Sequence, residues 1–370
     1  MLEQDLFDDL LGGGLILVAN GDVWKRHRDM LLHGFHQNSL SLAVGDIGRR
    51  TIRFFNEVPT ERVIDAQDLL QHLTFNIMCY FALGVETDEI DTLAGKKDHH
   101  YHHHSQGCSF TLSVLDVIET GLSVADLWYF VLDHTQKRFI APFRTWDYYL
   151  TEDDKKYNVA MATLRAIINK GVDKELAGPS KGEEEGVSSL LTFMVQEHKN
   201  NPEAFTRKNI VQHALTFLFA GHDTTTNLAS FMFYHIGLDP NIKAQCVAEV
   251  DELFAGKGPD ELPTMKDIKA IRYLRMVAKE TLRLYPGAPL RGRDLREEVT
   301  FNGVKFPPTA FLLDFLSVHL DPEYWPNPEV FDPERFSEEQ EKSRSAPTTL
   351  SLSAPITSHT HTHTSLFVLS

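Results

Sequence analysis

The chain has 370 residues, 42% hydrophobic and 24% charged, a globular balance that supports a sizeable core. Its net charge of −16, with no basic stripe, excludes nucleic-acid binding built on clustered Lys and Arg. Cys79, Cys108 and Cys246 are too far apart for a metal-ligand spacing or a disulfide framework, which suits a reducing compartment.

In chain order, residues 10–19 are apolar but short, and Gly12, Gly13 and Gly14 interrupt them, so no membrane anchor is expected in this chain. Helical periodicity follows over 21–33, 40–56 and 65–83. The tract 99–104 is histidine-rich and reads as a solvated loop. Further helices are expected over 112–132, 139–150 and 157–176, and a Gly/Pro/Ser/Glu-rich loop over 178–186.

From Thr206 to Gly237 no proline occurs. A helix of that length would be about 48 Å long at ~1.5 Å per residue. Thr206 suits its N-cap, and Gly237 with Pro240 supplies a stop. The helix is apolar nearly all round over 214–220 and 228–238, which predicts a central, buried position. A second helix is expected over 265–285, ended by Pro286, with Ile268, Ile271, Leu274, Val277 and Thr281 as its apolar face. The pattern then turns to strands. Residues 299–301 and 304–306 flank Asn302-Gly303, a hairpin signal, and 310–315 makes a third strand. From Ser343 onward, seven Ser, six Thr and three His, with little periodicity, predict a disordered tail, so the chain divides at 337/338.

The centre of the long helix, Ala220-Gly221-His222-Asp223-Thr224-Thr225, breaks helix rules. Gly221 costs about 1 kcal/mol relative to Ala. Thr224 can bond back to the carbonyl of Ala220, opening a groove with a small floor and a polar lip of Asp223 and Thr224. Such a groove admits a flat cofactor and leaves a carboxyl and a hydroxyl able to pass protons. The alternative is a kink with satisfied core threonines. Glu280 and Arg283 share a helix face, and Arg335 lies in an aromatic-flanked segment able to fold back onto them. Trp24 and Arg28, four apart, can present an indole N–H and a guanidinium together to a carboxylate; the alternative is a half-buried Trp covered by an Arg stem.

These pieces, with Glu280-Thr281-Leu282-Arg283, Pro333-Glu334-Arg335-Phe336, Trp24-Lys25-Arg26-His27-Arg28 and the proline-punctuated segment 319–328, resemble the cytochrome P-450 superfamily in order and spacing over residues 15–336. The finer likeness is to its microsomal fatty-acid and alkane hydroxylase branch. The resemblance implies a mainly α fold with a long central helix and a minor β region in the C-terminal third. It implies a haem-dependent monooxygenase, an oxidoreductase that inserts oxygen from dioxygen into an apolar substrate with NADPH-derived electrons from a reductase, as a monomer at the endoplasmic reticulum membrane. Asp223 and Thr224 match the proton-delivering acid–alcohol pair. Ala220 and Gly221 match the segment crossing the porphyrin. Glu280, Arg283 and Arg335 match the structural triad. Trp24 and Arg28 match one propionate site and Arg293, with Arg291 as rival, the other. Ala220 stands where some relatives carry a Glu esterified to haem, so no covalent link is expected. His222 is not expected to ligate iron.

The resemblance departs at two places. Only 23 residues precede Trp24, where relatives carry more, so the chain reads as truncated at its N-terminus. The family's Phe-x-x-Gly-x-Arg-x-Cys-x-Gly segment, whose thiolate is the axial iron ligand, is replaced after Phe336 by Ser/Thr/His-rich sequence without cysteine. No residue is therefore assigned as metal ligand, and a haem-free, non-catalytic product is the alternative expectation.

Overall fold

The computed structural model describes residues 10–15, 21–35, 37–58, 63–84, 124–140, 152–178, 189–258, 261–295, 297–301 and 303–343. The fold is mainly helical, with a minor β region in the C-terminal third. The histidine tract 99–104, the loop over 179–186, His359, His361, His363 and most of the expected helix 139–150 lie outside the described residues.

The chain forms two compact units, 1–43 with 75–219 and 44–74 with 220–370. The early helices are α1 (Asp22–Leu32), α2 (Gln37–Glu57), α3 (Ala66–Leu83), α4 (Val124–Ile140) and α5 (Glu152–Ala177). Then come α6 (Leu190–Asn200) and α7 (Arg207–Leu238). In the first unit α4 packs on α5, and α6 packs on both α1 and α5. Leu31, Phe75, Trp128, Leu190, Leu191, Met194 and Phe205 fill its interior. Each such side chain contributes roughly 1.5–3 kcal/mol on burial. The helix α6 was not apparent from periodicity; its first six residues are nearly all apolar, and it starts where Ser189 accepts the N–H of Thr192.

In the second unit α8 (Pro240–Phe254), α9 (Met265–Ala270) and α10 (Tyr273–Leu284) precede the strands. Pro240 does more than stop α7: it opens α8 as its first residue, with Asp239 accepting from the N–H groups of Asn241 and Ile242. The single helix expected over 265–285 is two helices. Thr264 and Asp267 form a capping box at the start of α9. The Glu249 carboxylate then accepts the N–H groups of Arg272, Tyr273 and Leu274 at 2.6, 2.7 and 2.9 Å, which starts α10 afresh. Ile268 is accordingly 39% exposed, whereas Val277 and Thr281 are buried. Ile242, Cys246 and Val277 form a core cluster with Met232, Ile236, Tyr273, Leu274 and Phe331 against it.

The strands are β1 (Leu290–Leu295), β2 (Val299–Phe301), β3 (Val304–Phe306) and β4 (Thr309–Asp314). They make two antiparallel pairs, β1 with β4 and β2 with β3. Gly303, at φ +80°, turns β2 into β3. The third expected strand ends one residue early because Asp314 caps α11 (Phe315–His319) by accepting from Ser317 N–H. A 3-10 turn over Pro333–Phe336 packs on α10, and α12 (Glu338–Ser343) follows. This short helix covers the first residues after the expected division at 337/338; beyond Ser343 the chain lies outside the described residues.

Candidate functional site

The helix α7 begins at a reciprocal cap. Thr206 Oγ1 accepts the Asn209 N–H at 3.3 Å, and Asn209 Oδ1 accepts the Thr206 N–H at 2.8 Å. It then runs unbroken for 32 residues. Residues 213–218 are buried, but the second apolar stretch departs from the expected burial: Phe233 is 53% and Leu238 62% exposed.

At its centre Ala220, Gly221, Asp223 and Thr224 are all half-buried. Thr224 Oγ1 donates to the Ala220 carbonyl at 2.6 Å. Burial pushes the Asp223 carboxyl above the usual carboxylate range, so it holds a proton closer to neutral pH. A carboxyl of raised pKa next to a hydroxyl can pass a proton. The Thr224 proton is committed to Ala220 O, so any other use of it requires the hydroxyl to rotate and release that carbonyl, an exchange of about 0.5–1.5 kcal/mol. Gly287 closes on this point: a Cβ there would stand 3.3 Å from Thr224 Cβ.

Behind the pair, His222 is fully buried, and desolvation lowers its pKa to about 4, so the imidazole is neutral. Thr226 Oγ1 donates to the His222 carbonyl at 3.0 Å and lies 2.6 Å from Thr74 Oγ1 on α3. Sequence patterning missed this hydroxyl bridge, because the two threonines are 152 residues apart.

Glu280 and Arg283, both fully buried, form a two-pronged pair. Arg283 Nε and Nη2 donate to the two carboxylate oxygens at 2.7 Å each. Arg283 Nη1 also donates to the carbonyls of His319 and Pro328, and Nη2 to that of Val330. The structure brings Arg335 to the same carboxylate, with Nε 3.4 Å from Glu280 Oε1, and the Asp332 N–H donates to that oxygen at 2.9 Å. Buried Trp325 lies under the Arg283 guanidinium at 5.1 Å. One carboxylate and one guanidinium thus gather α10, α11 and the segment 327–335.

Trp24 and Arg28 lie in the first unit on α1, with the guanidinium 5.7 Å from the indole centroid and 3.6 Å from Asp29. Arg291 and Arg293 lie on β1, paired with Leu313 and Phe311; their side chains lie outside the described part. On the buried side of α1, His27 meets His213 of α7 at 3.0 Å, with Phe205 stacked on the His213 ring at 4°. Burial lowers the pKa of His213 to about 3 and depresses that of His27 as well. A histidine in the mainly apolar stretch 210–218 was the available signal for this pair.

Small Ala220 and Gly221, followed by a protonatable carboxyl and a hydroxyl, fit a flat cofactor. The described cysteines do not fit an iron thiolate. Cys79 and Cys246 are buried, and burial with the nearby Glu249 pushes the Cys246 thiol up to about 11, the reverse of what a thiolate ligand needs. Cys108 lies outside the described residues. Among the described residues no helix is long and apolar enough to cross a membrane.

Residues 4–351 match the family profile described as Cytochrome P-450. The chain is 27% identical over 352 residues to cytochrome P-450 4F12 of Homo sapiens, covering 90% of this chain and 62% of that protein. It is 26% identical to leukotriene-B4 omega-hydroxylase 3 of Mus musculus, with coverage of 90% and 62%. It thus spans about 62% of the length of these curated relatives. A crystal structure of a cytochrome P-450DA mutant heme domain aligns with a TM-score of 0.71 at 20% identity, covering 92% of this chain and 67% of that one, a likeness of fold.

Proposed function

We propose, from the premise that the chain belongs to the cytochrome P-450 family, that it carries the oxygen side and the folding clamp of a haem-dependent monooxygenase acting on an apolar substrate. Asp223 and Thr224 carry the assignment: a carboxyl raised by burial is followed in sequence by a hydroxyl bonded to Ala220 O at 2.6 Å on an unbroken helix. The family uses haem iron, which supplies dioxygen activation when bound. For their part, Asp223 would supply a proton and Thr224 Oγ1 would relay it toward the groove. Ala220 and Gly221 leave room for the macrocycle at the helix surface. Trp24 and Arg28 would hold one propionate and Arg293 the other, each through charge-assisted hydrogen bonds. Glu280, Arg283 and Arg335 would fix the segment below.

For the substrate, we favour a fatty acid or alkane chain, in keeping with a relative named for omega-hydroxylation of leukotriene B4. Electrons would come from NADPH through a reductase, and the protein would act as a monomer at the endoplasmic reticulum membrane, with the residues beyond Ser343 as a tail. The test is incubation of the protein with reductase, NADPH, a saturated fatty acid and oxygen-18 gas. A hydroxylated product bearing one labelled oxygen is expected. Product labelled from water, or no product above the haem-free control, would overturn the assignment.

A further inference from the structure

Two turns beyond Thr224, the same face of α7 carries Phe231 and His235, at positions i+7 and i+11. Both meet Tyr285, the C-cap that follows α10. The Phe231 and Tyr285 rings are stacked with centroids 3.9 Å apart and planes 4° apart. Tyr285 Oη lies 3.2 Å from His235 Nε2. The far face of His235 is stacked on Phe331, again at 3.9 Å and 5°. Two residues past Tyr285, Gly287 abuts Thr224. At the other end, His235 and Phe331 line a cavity of about 350 Å³ with Leu238, Asp239, Pro240 and Ile242. Tyr285 therefore lies between the proton-passing pair and the wall of this cavity.

We propose that Tyr285 is a redox-active tyrosine and His235 its proton acceptor, together a site of one-electron oxidation by outer-sphere oxidants such as metal complexes. The chemistry follows from the contact. A phenol is hard to oxidise while it keeps its proton, because the radical cation is a strong acid. An imidazole at hydrogen-bond distance takes the proton as the electron leaves. Neutral imidazole nitrogen is a better acceptor than phenol oxygen, so Tyr285 donates and His235 carries its own proton on Nδ1. Burial lowers the His235 pKa, which keeps Nε2 free to accept at neutral pH. In the step, the Tyr285 O–H bond breaks, one electron passes to a one-electron oxidant, and an N–H bond forms at His235 Nε2. The products are a neutral tyrosyl radical and an imidazolium. One electron from a soluble reductant such as a thiol, with return of the same proton, restores the phenol. Phe231 stacks on Tyr285 and Phe331 on His235, each pair nearly parallel, and the two partner rings are held at 38° to one another, so little movement accompanies the transfer.

Oxidation of Tyr285 is independent of the proposed function. Light-generated ruthenium(III) polypyridyl, a soluble one-electron oxidant, serves as probe on the full chain with or without haem. Electron paramagnetic resonance of the frozen product should show a neutral tyrosyl radical. Its yield should fall at least tenfold in Tyr285→Phe, which keeps the stacking, and at least fivefold in His235→Phe, which keeps the ring and removes the acceptor. If Tyr285→Phe does not fold, 3-fluorotyrosine at position 285 should add fluorine splitting to the signal. A radical that persists in Tyr285→Phe, arising from exposed Tyr234 or Tyr324, would overturn the proposal. So would an unchanged yield in His235→Phe, or a signal without fluorine splitting.

Discussion

Replacing Arg283 with Lys should cost about 3–5 kcal/mol although the charge is kept. The guanidinium makes five hydrogen bonds, two to Glu280 and three to the carbonyls of His319, Pro328 and Val330. An ammonium group has three donors radiating from one atom and cannot reach the carboxylate and the three carbonyls together. At least two bonds to a charged group are lost, each about 1.5–3 kcal/mol, and buried acceptors are left without donors. The effect reads out as a lower urea midpoint with an unchanged slope, followed by tryptophan emission, to which Trp325 beneath Arg283 contributes. Lys279→Ala is the control: it removes the half-exposed bridge to Glu341 at 2.7 Å and should cost no more than about 1 kcal/mol. If Arg283→Lys proves as mild as Lys279→Ala, the buried clamp is not what holds this region together.

Three further outcomes follow from the packing. With His213 at about pKa 3 in the fold and near 6.5 unfolded, the unfolded chain binds more protons between those values, so stability falls as pH drops below 6.5, by at most about 1.4 kcal/mol per pH unit. His213→Phe should flatten this dependence in urea titrations at pH 7 and 5; an equally steep dependence would exclude the pair as its source. Gly14→Ala should cost about 1–3 kcal/mol of stability by the same assay, because the added Cβ would overlap Thr216 Oγ1 and lie 2.9 Å from the Gln212 carbonyl. Gly45→Ala, in open space on α2, should instead stabilise by about 0.5–1 kcal/mol; a loss there would show that the position is not free.

The parts of the fold that could be read from sequence rest on local rules. The extent of α7 follows from a proline-free run closed by Thr206 and Gly237, and the β2–β3 hairpin follows from Asn302-Gly303. The Glu280–Arg283 pair follows from their spacing of three. What escaped was set by distant partners. Periodicity runs straight through Ile271 and Arg272, and the Glu249 carboxylate, more than twenty residues away, starts α10 afresh after α9. Strand β1 has no alternation of its own and is a strand because β4 pairs with it. The Thr74–Thr226 and His27–His213 contacts join residues 152 and 186 apart, beyond the reach of any helical spacing. The exposed C-terminal part of α7 shows the converse: apolar composition does not by itself settle burial.

The most direct test of proton delivery by Asp223 and Thr224 is the amount of hydroxylated product formed per NADPH consumed in Asp223→Asn and Thr224→Val. Both substitutions keep size and remove the transferable proton. The ratio should fall at least about tenfold while NADPH oxidation continues. A ratio equal to that of the unaltered protein in both variants would contradict a proton-delivering role for this pair.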